Sequence, residues 1–366
     1  MEKWNEVKLV PEFSEQGVDC YRLAGGDYEN EYYVVSEAET RKLLNTPEVV
    51  GYEVYHCLIP STSQMLYYFK EQGKVTAANI LSILRGALNY PLEESCYREH
   101  IRVHDISFLS SERVFKEEEI AGLEIKYSKL TMVPGSTLLI GDIIATGETL
   151  IHCLRYVTDF YREHGASLRN IIIFTIGGTT GIKILERLTK EIREFWPEFE
   201  GFITVYYEGI FSTYQDKGVS GINLPDVDFY WKDGIIAPEF RRETLSMRDP
   251  LFEKCIIYDG GARRYEIHEH VEEVLDFRNK MLDTGADVTL VDVSNYACVL
   301  DALTHAGEMD VFVLITLPFY AAQTVALSGY LASIGATVLA LTDKMSSPIV
   351  KNATRTLFCN AKNMVF

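Results

Sequence analysis

The stretch that decides the fold is Ser136-Thr-Leu-Leu-Ile-Gly-Asp-Ile-Ile-Ala-Thr-Gly-Glu-Thr-Leu150. Leu138–Ile140 is an unbroken apolar run, the pattern of a buried strand. It ends at Gly141-Asp142, and the small residues Ala145-Thr-Gly-Glu-Thr149 then make a tight turn. From Leu150 to Tyr161 apolar residues return at helical spacing. A strand, a small-residue loop and a helix start aim several backbone N–H groups and the positive end of a helix dipole at one spot. Such a spot holds an anion, most often a phosphate. Thr146 and Thr149 add hydroxyls, and Asp142 stands at the strand end, where a ribose hydroxyl or a metal-bound water can be gripped.

The flanking sequence repeats the pattern. Upstream, Ile80–Leu84 reads as a short strand broken by Arg85-Gly86, and a glycine just after a strand lets the backbone approach a ligand closely. Downstream, Arg169–Ile176 reads as a parallel strand. Gly177-Gly-Thr-Thr-Gly181 follows it, then a helix over 182–195 and a strand over 202–207. Consecutive strand, loop and helix units predict an α/β fold with a doubly wound parallel sheet. Residues 1–70 are expected to extend or hood that sheet. They hold a strand over 28–35 and a capping box of Ser36 with Glu39 ahead of a helix over 38–44. The charged stretch with Pro238 and Pro250 reads as a linker over 236–250. Thus 1–235 is one domain and 251–366 another. The second carries strands over 287–292, 310–315 and 335–343 and a helix over 323–334. Cys255–Ala262 starts it as a strand and glycine loop, so it too is a doubly wound parallel-sheet domain.

Composition narrows the function. The 366 residues are 47% hydrophobic and 24% charged, as in globular proteins, and carry a net charge of −18. That balance disfavours nucleic-acid binding, which needs a basic footprint, and suits a protein of small molecules. No apolar run reaches membrane-span length, and Met1-Glu-Lys-Trp-Asn-Glu6 has none of the features of a signal peptide. The seven cysteines stand singly with no Cys-x-x-Cys, which suits a reducing cytoplasm and argues against zinc. His100, His104 and His152 lack metal spacing within one element.

The segment 136–150 resembles the phosphoribosyl pyrophosphate (PRPP) loop of type I phosphoribosyltransferases, nearest the uracil type. That loop has four apolar residues, two acids, two apolar residues, then Ala-Thr-Gly-Gly-Thr/Ser. Here Gly141 stands at the first acid and Glu148 at the second glycine. The resemblance implies that Ala145, Thr146, Gly147, Glu148 and Thr149 hold the 5′-phosphate of PRPP. It implies that Asp142 holds the ribose diol, and that Mg²⁺ accompanies PRPP without a direct protein ligand. Arg85-Gly86-Ala87-Leu88 resembles the family's pyrophosphate loop with its small pair inverted. On that likeness Arg85 and Gly86 contact pyrophosphate, and Arg113 comes from a closing loop. Lys217–Asp228 resembles the family's base-reading hood, which nominates Gly221, Ile222 and Asp226.

Residues 251–366 resemble a sugar isomerase (SIS) domain, most closely over Ile315–Val350. Its serine and glycine positions fall on Pro318 and Phe319 and a threonine position on Ala321, while Thr316 and Thr324 remain. The expectation is a retained fold with a depleted sugar-phosphate site and a role in homo-oligomer formation, here a dimer. Two functions stay open. One is a cytoplasmic transferase that moves a phosphoribosyl group to or from a nucleobase with pyrophosphate release. The other is a non-catalytic protein of the same folds that senses a phosphorylated metabolite or acts in assembly.

Overall fold

The structure, a computed structural model, describes residues 7–46, 49–116, 119–213, 229–246 and 256–257, short pieces between 267 and 307, and then 310–317 and 320–358. Two compact units divide the chain at 281/282.

The first unit is built on one large mixed sheet. Its strands are β1 (Lys8–Glu15), β2 (Val18–Ala24), β3 (Glu31–Ser36), β4 (Ala77–Leu84), β5 (Arg102–Lys116), β6 (Glu119–Lys129), β7 (Ser136–Gly141), β8 (Leu168–Gly178), β9 (Phe202–Thr213), β10 (Phe229–Ile236) and β11 (Ile256–Ile257). The order is β1-β2-β3-β9-β8-β7-β4-β5-β6, with β10 and β11 attached beyond β9. The run from β3 to β5 is parallel throughout. Strands β7 and β8 are central and buried along their whole length, which is why Leu138–Ile140 and Ile171–Phe174 read as continuous apolar runs.

The helices are α1 (Ala38–Asn45), α2 (Tyr52–Glu71), α3 (Leu92–Arg98), α4 (Glu148–Glu163), α5 (Thr179–Arg193) and α6 (Pro238–Ser246). From β7 the chain steps through α4 and α5 toward β9, whereas from β4 it steps through α3 the other way, to β5. Right-handed crossovers in opposite directions put their helices on opposite faces. Accordingly α2 packs on α3, and α4 packs on α5. The fold is α/β, as the strand and helix pattern predicts.

Several local expectations change. Residues 1–70 join the sheet: β1, β2 and β3 extend it beyond β9. The first helix is capped one residue later than the sequence suggests. Glu37 accepts from the Glu39 N–H at 2.7 Å, and Thr40 Oγ1 accepts from the Glu37 N–H at 3.2 Å. Ser36 is drawn away by Glu208, to which its hydroxyl donates at 2.5 Å. Within the stretch read as a linker, Pro238–Ser246 forms α6, which is tied to the first unit. Tyr21 donates to Glu239 at 2.8 Å, Arg41 pairs with Glu243 at 2.6 Å, and Thr244 donates to Asn45 at 2.9 Å. Ile256–Ile257, read as the start of the second domain, pairs antiparallel with β10 of the first sheet.

Glu208 holds this end together. It is fully buried, with a left-handed φ of 62° at the irregularity where β9 passes from Tyr206 opposite Thr175 to Ile210 opposite Gly177. Its carboxylate takes Ser36 Oγ, Thr40 Oγ1 and the Glu37 N–H, so the N-terminus of α1 is fixed to β9. Burial outweighs these bonds and the Arg41 charge and pushes the carboxyl up to about 8.

The second unit carries a three-stranded parallel sheet, β12 (Val311–Ile315), β13 (Thr337–Thr342) and β14 (Arg355–Phe358), in that order. Helix α7 (Ala322–Ser333) connects β12 to β13, and Leu314, Leu331, Val338, Ala340 and Ile349 form the core. The expected elements over 310–343 are present. Pro318, Phe319 and the strand expected over 287–292 fall outside the described residues.

Replacing Glu208 with alanine leaves the buried Ser36 hydroxyl without its acceptor and takes one acceptor each from Thr40 Oγ1 and the Glu37 N–H. Chemical denaturation is expected to show a loss of roughly 2–4 kcal/mol.

Candidate functional site

The parallel strands β5-β4-β7-β8-β9 follow a 2-1-3-4-5 order, with the reversal of direction between β4 and β7. Crossovers that leave in opposite directions open a crevice at the carboxyl ends of those two strands, where open α/β sheets bind ligands. Strand β4 ends there at Leu84, followed by a cis peptide to Arg85 and a short 3-10 turn, Gly86–Asn89. Strand β7 ends there at Gly141, followed by Asp142 and the loop into α4.

The loop is anchored from one side. Ile144 donates to Ile176 O at 3.2 Å, accepts from the Gly178 N–H at 2.9 Å, and bridges Gly177 in parallel fashion. Its side chain fills the space a Cβ on Gly181 would need, so the glycine-rich junction of β8 and α5 is the floor of the 142–149 loop. Gly147 is the residue before α4 and has a φ of 76°, a conformation that disfavours any side chain. Glu148 N–H contacts Thr146 Oγ1 at 3.4 Å, and the first intrahelical bond runs from Ile151 N–H to Gly147 O at 2.9 Å. Among the described residues none accepts from the N–H of Ala145, Thr146, Gly147, Thr149 or Leu150. These donors gather at the N-terminus of a sixteen-residue helix, an arrangement suited to a phosphate. Glu148 is the first residue of α4 and is exposed. Its carboxylate suits the helix dipole and competes with a bound anion for the same end.

Asp142 sits where the two strand ends meet. Its backbone N–H donates to Phe174 O at 3.1 Å, and its Oδ1 takes the Ile143 N–H at 2.9 Å. Gly86 lies against Oδ1 so closely that a Cβ there would collide with it. Thus Asp142 and Gly86 meet, with Arg85 exposed beside them in sequence. Burial pushes the Asp142 carboxyl up to about 7, and the one Ile143 bond offsets this only in part.

Gly141 is not a gap where an acid could stand. A Cβ at that position would collide with Cβ and Cγ of Tyr90. Tyr90 is 5% exposed, accepts from the Ile176 N–H at 3.2 Å and lies 6.2 Å from the Tyr207 ring. Sequence reasoning missed Tyr90. The glycine after the apolar run was the one trace it left, and only the fold shows what presses on it.

The remaining nominees lie apart or beyond view. Arg113 is on β5, three residues past Ser110, the partner of Leu84 at the end of β4. At strand rise its backbone is roughly 10 Å beyond the sheet edge, on the side of the crevice. It belongs to a β5–β6 hairpin and not to a loop. Gly221, Ile222 and Asp226 lie outside the described residues.

Searches against family models and against curated proteins find no match. Solved structures do show partial similarity. A hypoxanthine phosphoribosyltransferase from Staphylococcus aureus is 16% identical, with 36% of this chain and 67% of that one covered and a TM-score of 0.26. An L. donovani hypoxanthine-guanine phosphoribosyltransferase is 16% identical, covering 36% and 69%, with a TM-score of 0.27. A Trypanosoma cruzi hypoxanthine phosphoribosyltransferase is 14% identical, covering 54% and 94%, with a TM-score of 0.28.

Two outcomes test this geometry. Gly141→Ala is expected to cost about 1–3 kcal/mol in chemical denaturation, from overpacking against Tyr90. The second concerns pH. Asp142 keeps its proton on folding while the unfolded carboxyl has lost it above about 4, so its burial weakens the fold progressively from about pH 4 to about pH 7. Asp142→Asn removes that slope, and its melting temperature relative to wild type is expected to be higher at pH 8 than at pH 4.

Proposed function

We propose that the first unit is a PRPP-binding phosphoribosyltransferase-like module that moves a phosphoribosyl group to or from a nucleobase with release of pyrophosphate. The observation that carries this is the cluster of unpaired N–H groups over 145–150 beside Asp142, at the crevice between β4 and β7. The backbone donors and the hydroxyls of Thr146 and Thr149 hold the 5′-phosphate. Asp142 holds the sugar, and Arg85 with the Gly86 backbone takes pyrophosphate. Such a reaction forms no bond to the protein: the sugar carbon parts from pyrophosphate with positive charge building on the ring. Positioning and charge stabilisation supply the rate.

Among the described residues no three His, Cys, Asp or Glu side chains gather into a metal site. One carboxylate at the crevice suits a Mg²⁺ that arrives with PRPP, held by its phosphates and by water with no direct protein ligand. Bound so, it would neutralise the departing pyrophosphate. Among the described residues no helix is long and apolar enough to cross a membrane. A cytoplasmic homo-oligomer, with the second unit serving assembly as a SIS-like domain, fits this reading.

A second reading has its own support. Tyr90 closes the first-acid position and Glu148 stands at the phosphate end, and both favour a non-catalytic sensor of a phosphorylated metabolite over an enzyme. Calorimetric titration with PRPP and Mg²⁺ is expected to show binding that Asp142→Asn weakens. No binding would sink the enzyme reading. Pyrophosphate release with a panel of bases then separates enzyme from sensor. Glu148→Gly is expected to tighten PRPP binding about two- to fivefold at low salt, with the gain shrinking as salt rises.

A further inference from the structure

We propose that the crevice between β4 and β7 reads one ring hydroxyl of its phosphorylated ligand and not a vicinal diol. The inference rests on the phosphate-loop reading above and specifies the sugar that reading leaves open. Two adjacent acids at a strand end could take one hydroxyl each. Here the first position accepts no side chain at all, because the obstacle is the Cβ of Tyr90 itself, and any residue but glycine at position 90 would keep it. Tyr90 is held by the Ile176 N–H and by burial, so it does not vacate the space.

The second position offers half a carboxylate. Oδ1 of Asp142 is occupied by the Ile143 N–H and walled by Gly86. Oδ2 takes no hydrogen bond from any described residue, yet it is not among the sealed, unsatisfied atoms of the interior, so it keeps contact with solvent. With the whole residue 9% exposed, Oδ2 is the side-chain oxygen left to meet a hydroxyl. Glu148, the other acid of the loop, stands at the phosphate end on the first residue of α4 and not at the strand end.

The test uses the full chain and calorimetry, with methyl ribofuranoside 5-phosphate, its 2-deoxy and 3-deoxy counterparts, and inorganic phosphate as probes. One deoxy sugar is expected to bind within about threefold of the parent. The other is expected to bind about tenfold more weakly or worse, the effect of losing one bond to a charged acceptor. Asp142→Asn, checked for folding by its melting curve, brings the parent down to the weaker analogue. Glu148→Gln leaves the asymmetry intact. Loss of tenfold by both deoxy sugars means that the diol is read and overturns the proposal, as does equal binding of all three sugars. Failure of inorganic phosphate and the sugar phosphates alike overturns the phosphate-loop reading itself. Phosphate binding with no gain from the sugar overturns only the single-hydroxyl proposal.

Discussion

The first unit depends on the seam between β4 and β7, where the sheet reverses its winding. Both strands are buried and parallel there, joined from Ala78 opposite Thr137 to Leu81 opposite Ile140. Because the helices after them leave in opposite directions, no helix or strand among the described residues covers the strand ends. Backbone groups that would be capped elsewhere are left to loops: Gly86–Asn89 on one side and 142–149 on the other. The ligand crevice is thus a consequence of strand order, and the loops only line it.

What lines it is set by closeness. Gly86 must lack a Cβ to let Asp142 Oδ1 in, and Gly141 must lack one to let Tyr90 in. These two glycines have opposite effects on chemistry. The first brings a carboxylate to the crevice, and the second excludes one. A tyrosine that bonds the Ile176 N–H and packs beside Tyr207 secures the end of β8. The chain therefore gives packing at position 141 precedence over a second acid.

Strands β3, β4, β7, β8 and β9 and helices α1, α4 and α5 of the first unit were legible because each carries a local signal: apolar runs, glycine breaks, helical spacing. The loop between β7 and α4 was legible for the same reason. Tyr90 was not, since its contact with Gly141 joins residues fifty apart through two different strand ends, and no local pattern encodes it. Glu208 was invisible likewise. A lone acid in the run from Phe202 to Phe211 gives no hint that its carboxylate crosses to Ser36 and Thr40. The cap of α1 was misassigned for this reason: Ser36 fits the capping pattern, but a buried carboxylate is the stronger claim on its hydroxyl. The helix α6 was hidden by its charges, which read as a solvated linker although Glu239 and Glu243 both bond to the sheet unit.

Glu208 and Asp142 are related by the same physics at two places. One is a carboxyl within a parallel strand and the other one residue beyond a strand end, and each is pushed up in pKa by burial. Glu208 is met by two hydroxyls and a backbone N–H from its own chain, so its function is spent within the fold. Asp142 is met by one backbone N–H and keeps an oxygen without a donor. A buried carboxylate whose partners are incomplete is stabilised by whatever hydroxyl arrives, and the loop beside it already presents unpaired N–H groups to an anion. The environment of Asp142 is incomplete among the described residues and that of Glu208 is complete, so the proposed binding role falls on the first and a structural one on the second.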